Sequence, residues 1–275
     1  MRQFLVIVEG PHDASFVGVV LKEQGYKKVQ QVASVGEFWA DLIPSVFPAG
    51  PKLDHVVRYP DVYHSEGANS CSCAVIVAGG DSQLVAELRA TMEALDGSQL
   101  TGICIIADAD SERALQRHSE LCQQLVALNE THEPGGKEGG SSGVPGFPLQ
   151  LPTTLGVVEK GAIRVGIYVF PDNDRPGTLD GLLLECAETS LASVYTPAIG
   201  FVDAVHETVI EDVRFKALRK PSGKEKASAG VIANVLFPGV ALSAAIERAK
   251  WFEPLRGDER GITTFRKFFT ELLAE

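Results

Sequence analysis

The chain has 275 residues, 45% of them hydrophobic and 22% charged, which fits one large domain or a core domain with a smaller appendage. Twenty-five basic against 36 acidic side chains give a formal charge of −11, which excludes a protein that coats nucleic acid or anionic membrane by bulk charge. No apolar run approaches the roughly 20 residues that span a bilayer, and five cysteines, an odd number, suit a reducing cytoplasm.

The opening run Phe4 to Val8 (FLVIV) reads as a buried strand rather than a signal peptide, since no small-residue cleavage site follows it. Glu9-Gly10-Pro11 ends it. Asp13 to Gln24 then places Phe16, Val17, Val20 and Leu21 at helical spacing, with Gly25 as the closing residue. Residues 44–72, with Pro44, Pro48, Pro51 and Pro60, read as an irregular insertion that can hold a short hairpin. Ala74 to Ala78 is the second buried strand. Gly79-Gly80 ends it, and Asp81 or Ser82 is the expected cap of a helix running to about Leu95.

Gly102 to Ala107 is the third strand, followed by Asp108-Ala109-Asp110-Ser111 and a helix to about Leu128. A glycine-rich stretch at 133–146 reads as a surface loop within a second irregular insertion, 133–160. Ala162 to Phe170 is the fourth strand, ended by Pro171-Asp172-Asn173-Asp174, with a helix from about Leu179 to Leu191. From about residue 200 the periodicity is helical. Strands separated by helices imply an α/β fold with a mainly parallel sheet and helices on both faces, here over 1–195, plus a helical C-terminal extension over 196–275.

Charge divides the same way. Residues 1–210 hold 13 basic and 27 acidic side chains, net −14; residues 211–275 hold 12 and 9, net +3. Glu9, Asp81, Asp108 and Asp172 all follow strand C-termini, where open α/β sheets bind ligands. Asp108 and Asp110 are alternate residues, so an extended segment would aim both at one point. Carboxylates crowded there repel unless a cation neutralises them, and Mg²⁺ is the hard, oxygen-seeking ion expected. The plain alternative is that Asp110 caps the next helix and Asp13 sits in a first turn. Asp172 and Asp174 carry the same ambiguity, because Pro-Asp-Asn also favours a bend.

Arg214, Lys216, Arg219, Lys220, Lys224 and Lys226 form a basic strip broken by Glu225. Such a strip can meet a phosphate backbone or simply be a solvated helix face. Phe215 is the one aromatic inside it, which gives little support for base stacking. Cys71-Ser72-Cys73 lacks zinc spacing, and no Walker A sequence or G-x-G-x-x-G follows the first strand.

Glu9-Gly10 after the first strand and Asp108-x-Asp110 after a later one resemble the Toprim domain of topoisomerases, bacterial primases and OLD-type nucleases. VEGPHDASFVGVVLKEQG is similar to the nuclease-like members. GIYVFPDNDRPGTLDGLLLECA, the Lys224-Glu-Lys226-Ala patch and the aromatic closing helix resemble a small Toprim-containing family. The resemblance covers most of 1–190 discontinuously. It implies that Glu9 is a general acid/base or metal ligand and that Asp108 and Asp110 bind Mg²⁺ or Mn²⁺. It further implies that Asp13 and Asp180 complete a second metal site, and that Lys224 or Lys226 matches a downstream lysine. Asp180 departs from the pattern, where glutamate is more usual. The expectation is a Mg²⁺-dependent nuclease on DNA or RNA, Arg214, Lys216, Arg219 and Lys220 holding substrate. A phosphohydrolase, or a non-catalytic module binding metal or nucleotide, is the alternative. A protein partner or a second copy of the chain stays open.

Overall fold

The computed structural model describes residues 1–44, 59–67, 70–131, 145–209, 211–248, 251 and 260–274. Strand β1 (Arg2–Val8) leads into helix α1 (Pro11–Glu23) and the short β2 (Lys27–Lys28) and α2 (Glu37–Ala40). Then come β3 (Asp61–His64), β4 (Cys71–Val77), α3 (Leu84–Ala94), β5 (Gly102–Asp108) and α4 (Ala114–Thr131). β6 (Val158–Lys160), β7 (Arg164–Phe170), α5 (Leu179–Ser190), α6 (Ala192–Thr208), α7 (Gly223–Leu236), α8 (Leu242–Arg248) and α9 (Arg260–Leu273) complete the order.

These strands form one seven-stranded sheet, β2-β3-β4-β1-β5-β7-β6. Its centre, β4-β1-β5-β7, is parallel throughout, while β2, β3 and β6 add antiparallel edges. The expected α/β class, mainly parallel sheet, helices on both faces and helical C-terminal region are all present.

Alternation along the strands explains the two-faced core. Phe4, Val6 and Val8 enter one hydrophobic cluster, and Leu5 and Ile7 enter the other. β5 repeats the division with Cys104 and Ile106 against Ile103, Ile105 and Ala107, and β7 with Tyr168 and Phe170 against Val165, Ile167 and Val169. One face carries α1, α5 and the helices beyond residue 195, which share its cluster. Phe265 of α9 stacks on Phe269 at 5.3 Å and meets Phe16 of α1 at 5.0 Å and Tyr168 of β7 at 4.9 Å. α2, α3 and α4 cover the other face.

Several boundaries follow local chemistry. α1 has Pro11 in its first turn, and Asp13 Oδ2 accepts the Gly10 N–H at 2.7 Å. It stops where Gly25 takes φ 87°, a left-handed value that glycine adopts without penalty. The expected cap by Asp81 or Ser82 is corrected: a 3₁₀ turn, 81–83, precedes α3, no side chain caps either, and Asp81 instead pairs with Arg117 of α4. Of the insertions, 45–58, 68–69 and 132–144 lie outside the described residues, while β3 and β6 lie in their described parts.

Candidate active-site cleft

Register brings the acidic strand ends together. Val8 lies opposite both Val77 and Ile106, so the chain after β1 emerges between the ends of β4 and β5. The Asp108 N–H donates to Glu9 Oε1 at 2.9 Å, joining the two tips directly. Asp108 Oδ1 accepts the Leu179 N–H at 2.8 Å, which ties β5 to the first turn of α5. That turn is fixed by Thr178, whose Oγ1 accepts the Gly181 N–H and donates to Glu225 Oε2 at 2.9 Å. Glu225 stands on α7, so this hydrogen bond carries the adjacent Lys226 to the same place.

A cleft of about 300 Å³ results. Its lining comprises Glu9 and Gly10 to Asp13 at the start of α1, Gly79 and Gly80, Asp108, Asp180 in the first turn of α5, and Lys226 near the start of α7. Residues from the first turns of three helices, α1, α5 and α7, therefore line one space. His12 Nδ1 lies 3.3 Å from Asp180 Oδ1, an ion-pair distance without hydrogen-bond geometry, and that buried oxygen has no hydrogen-bond partner.

The carboxylates strain against their surroundings. Burial pushes Glu9 up from its ordinary 4.5 to about 7; the Asp108 N–H opposes this, Asp13 and Asp110 add to it, and Arg117 offsets part. Burial likewise raises Asp13 to about 6, against the Gly10 N–H bond, with Asp180 raising it further and His12 lowering it. Asp108 is held well above the carboxylate range by burial, then by Asp13 and Glu9. Four acids thus share one partly dry space with Lys226 as the cationic side chain lining it, an arrangement that calls for a further cation.

Of the expected site residues, Glu9, Asp13, Asp108, Asp180 and Lys226 meet in the cleft. Asp110 does not line it. Its backbone takes φ 52°, so strand alternation ends at Asp108, and Asp110 exchanges two backbone hydrogen bonds with Gly177. It does not cap α4, which begins at Ala114. Lys224 points elsewhere, pairing with Asp203 of α6. Asp172 serves the turn: its Oδ1 accepts from the N–H groups of Asp174 and Arg175, both at 3.1 Å. Arg214, Lys216, Arg219 and Lys220 are exposed and outside the cleft lining.

One contributor escaped sequence reasoning: Arg117 is a buried guanidinium whose charge lowers Glu9. His12, which the sequence places next to the site at a solvated helix start, lines the cleft. Arg117 falls on the same helical stripe as Ala114, Leu121, Leu125 and Leu128, the buried face of α4. A charged residue in register with an apolar stripe is the signal that would have found it.

A protein-family model matches residues 3–274, nearly the whole chain. The chain belongs to the DUF3226 family. That family is described as a protein of unknown function. Comparison with curated proteins finds no match. Among solved structures, this DUF3226 chain is similar to a hypothetical protein from Pyrococcus horikoshii OT3, with 15% identity, a TM-score of 0.50, and coverage of 99% of this chain and 95% of that one. At that identity the likeness is one of fold.

The donor set suits a hard divalent cation. Every acidic ligand candidate in the cleft offers oxygen, burial makes Glu9, Asp13 and Asp108 resist ionisation, and Asp180 Oδ1 lacks a hydrogen-bond partner. Among the described residues no three His, Cys, Asp or Glu side chains are gathered into a ready-made cage. Mg²⁺ does not need one, because it keeps several waters and binds through one or two carboxylates. Glu9 and Asp108, whose tips are already joined, are the residues that would hold it, with Asp13 and Asp180 beside them. Asp110 stands behind this group.

Proposed function

We propose that this protein is a Mg²⁺- or Mn²⁺-dependent phosphodiester-cleaving enzyme, a nuclease on DNA or RNA. The observation that carries the reading is the cluster of Glu9, Asp13, Asp108 and Asp180 around one cleft, the first three held above the ordinary carboxylate range by burial, with Lys226 beside them. The resemblance of Glu9-Gly10 and Asp108-x-Asp110 to Toprim nucleases supports the same conclusion. All five cysteines are free, and no helix among the described residues is long and apolar enough to cross a membrane, which together favour a cytoplasmic setting.

A divalent cation held by Glu9 and Asp108 would supply charge neutralisation and Lewis-acid polarisation of a phosphoryl oxygen. The protein's own groups do the rest. Glu9 accepts a proton from the attacking water, whose oxygen bonds to phosphorus as the bridging oxygen of the phosphodiester leaves. Lys226 opposes the negative charge of the phosphate. Asp13 locks the turn that aims Glu9, through its bond to the Gly10 N–H.

The test is cleavage of labelled single- and double-stranded DNA and RNA in Mg²⁺ or Mn²⁺ by wild type, Glu9→Gln and Asp108→Asn. Loss of wild-type cleavage in both variants is expected. Unchanged cleavage in both sinks the reading. Release of phosphate from small monoesters alone would make the protein a phosphohydrolase, and cation binding without any hydrolysis would make it a binding module.

A further inference from the structure

A second concavity lies on the other flank of α7. It holds about 320 Å³ and is almost wholly apolar, walled by Phe201 and Val205 of α6, Phe215 and Arg214 of the turn before α7, and Ala227 and Val231 of α7 itself. Phe201 is 59% exposed, unusual for a phenylalanine that also borders a cavity. α6 as a whole is apolar, yet Ala198 and Val202 are its buried residues among those described.

The segment that supplies the turn and the α7 wall of this groove is cationic, while α6 opposite adds Asp203 and Glu207. Residues 211–226 carry six basic and three acidic side chains, net +3, on a chain of net −11. Arg214 is held by Asp212 at 2.6 Å with its side chain 80% exposed, and Arg219 donates to the Asp212 carbonyl. Lys216 and Lys220 are exposed and have no ion-pair partner among the described residues. The basic strip that does not line the acidic cleft therefore lines this groove or flanks it in sequence.

Position on α7 links the two concavities. Lys226 lines the cleft and the next residue, Ala227, lines the groove. Successive helical residues differ by about 100° around the axis, and the helix is roughly 10 Å across. An extended strand can lay one phosphate in the cleft and a neighbouring base in the groove.

We infer that the groove of Phe201 and Phe215 receives an unpaired base of a single-stranded nucleic acid whose phosphates lie along Arg214, Lys216 and Lys220. This rests on the phosphodiester reading of the cleft and names its substrate class. A base in duplex is stacked on its neighbours and cannot enter, so the groove selects single strands. Aromatic faces with basic neighbours are what sequence-tolerant strand binding needs, because every base offers a π-face and every linkage a phosphate.

The test is fluorescence anisotropy with short labelled oligothymidine and oligouridine, and their duplexes, in chelator so that nothing is cleaved. Phe201→Ala is expected to lower affinity for the single strands about 5- to 150-fold, the range that one lost base–aromatic stack spans. Phe201→Trp is expected to restore it, and duplex binding to be weak throughout. Lys216→Ala with Lys220→Ala should flatten the salt dependence by about two phosphate contacts. Wild type that ignores single strands, or Phe201→Ala that binds them unchanged, overturns the inference. So does a concentration-dependent dimer that Phe201→Ala abolishes, since the groove would then serve a second copy of the chain. Groove-dependent binding without cleavage in Mg²⁺ keeps the inference and removes the nuclease reading; cleavage that is indifferent to Phe201 does the reverse.

Discussion

Glu9→Gln separates the electrostatics of the cleft from any assumption about substrate. Glutamine keeps the shape of the side chain, and its Oε1 can still accept the Asp108 N–H that Glu9 accepts at 2.9 Å. What changes is the proton. In the folded protein Glu9 holds its proton up to about pH 7, whereas the unfolded chain releases it near the ordinary 4.5. Between those values the folded state binds more protons, so stability falls as pH rises and levels off above about 7. At about 1.36 kcal/mol per unit of pKa, this one carboxylate removes about 2–3 kcal/mol between pH 5 and pH 8.

Urea unfolding in chelator across that range should therefore show wild type losing stability with pH and Glu9→Gln losing about 2–3 kcal/mol less. Asp108 is eased in the same direction, because Glu9 is one of the charges that raise it. The buried amide of the glutamine can shift the whole variant curve, so the test is the difference in slope and not the offset. Parallel curves would refute the argument, since they would mean that Glu9 ionises in the fold as freely as in water.

Other outcomes follow from the same geometry. Mg²⁺ or Mn²⁺ should raise the wild-type melting temperature more at pH 8 than at pH 5, because the cation competes with protons for Glu9 and Asp108, and the increment should shrink in Glu9→Gln. Asp108→Ala should cost activity at least the about 10- to 100-fold that even an outer partner of a metal is worth, while Asp110→Ala, outside the cleft lining, should cost under about threefold; equal losses would contradict the placement of Asp110. Phe265→Ala should destabilise by about 3–5 kcal/mol in urea unfolding, since the ring is fully buried against Phe16, Tyr168, Phe170 and Phe269.

What could be read in advance depended on how far each residue's role is local. FLVIV is apolar at every position because both its faces are covered, and that alone marks a central parallel strand. Each buried strand then places its C-terminal residue at one edge of the sheet, so Glu9 and Asp108 could be paired before their hydrogen bond was seen. Asp110 shows where the rule stops. Alternation holds only while the chain stays extended, and a left-handed Asp110 locked to Gly177 turns its side chain off that line. The outer strands β2 and β3 were hard to read for a related reason: two and four residues are too few to show a period, and their places come from tertiary pairing, β3 on β4 and β2 on β3.

The basic strip is the sharpest case of a pattern that sequence alone misreads. Taken linearly, Lys224 and Lys226 are equivalent, two residues apart with the same charge. On α7 they are about 200° apart, so Lys224 faces Asp203 and Lys226 faces the carboxylates. The same helical rotation explains the aromatics. Phe215 is alone within its own segment, and only the packing of α6 against α7 brings Phe201 across from it. Helical phase therefore decides which lysine lines the acidic cleft, and tertiary packing decides that an aromatic groove lies one residue further round. A strip that reads as a uniform charge run is divided by α7 into two surfaces with different chemistry.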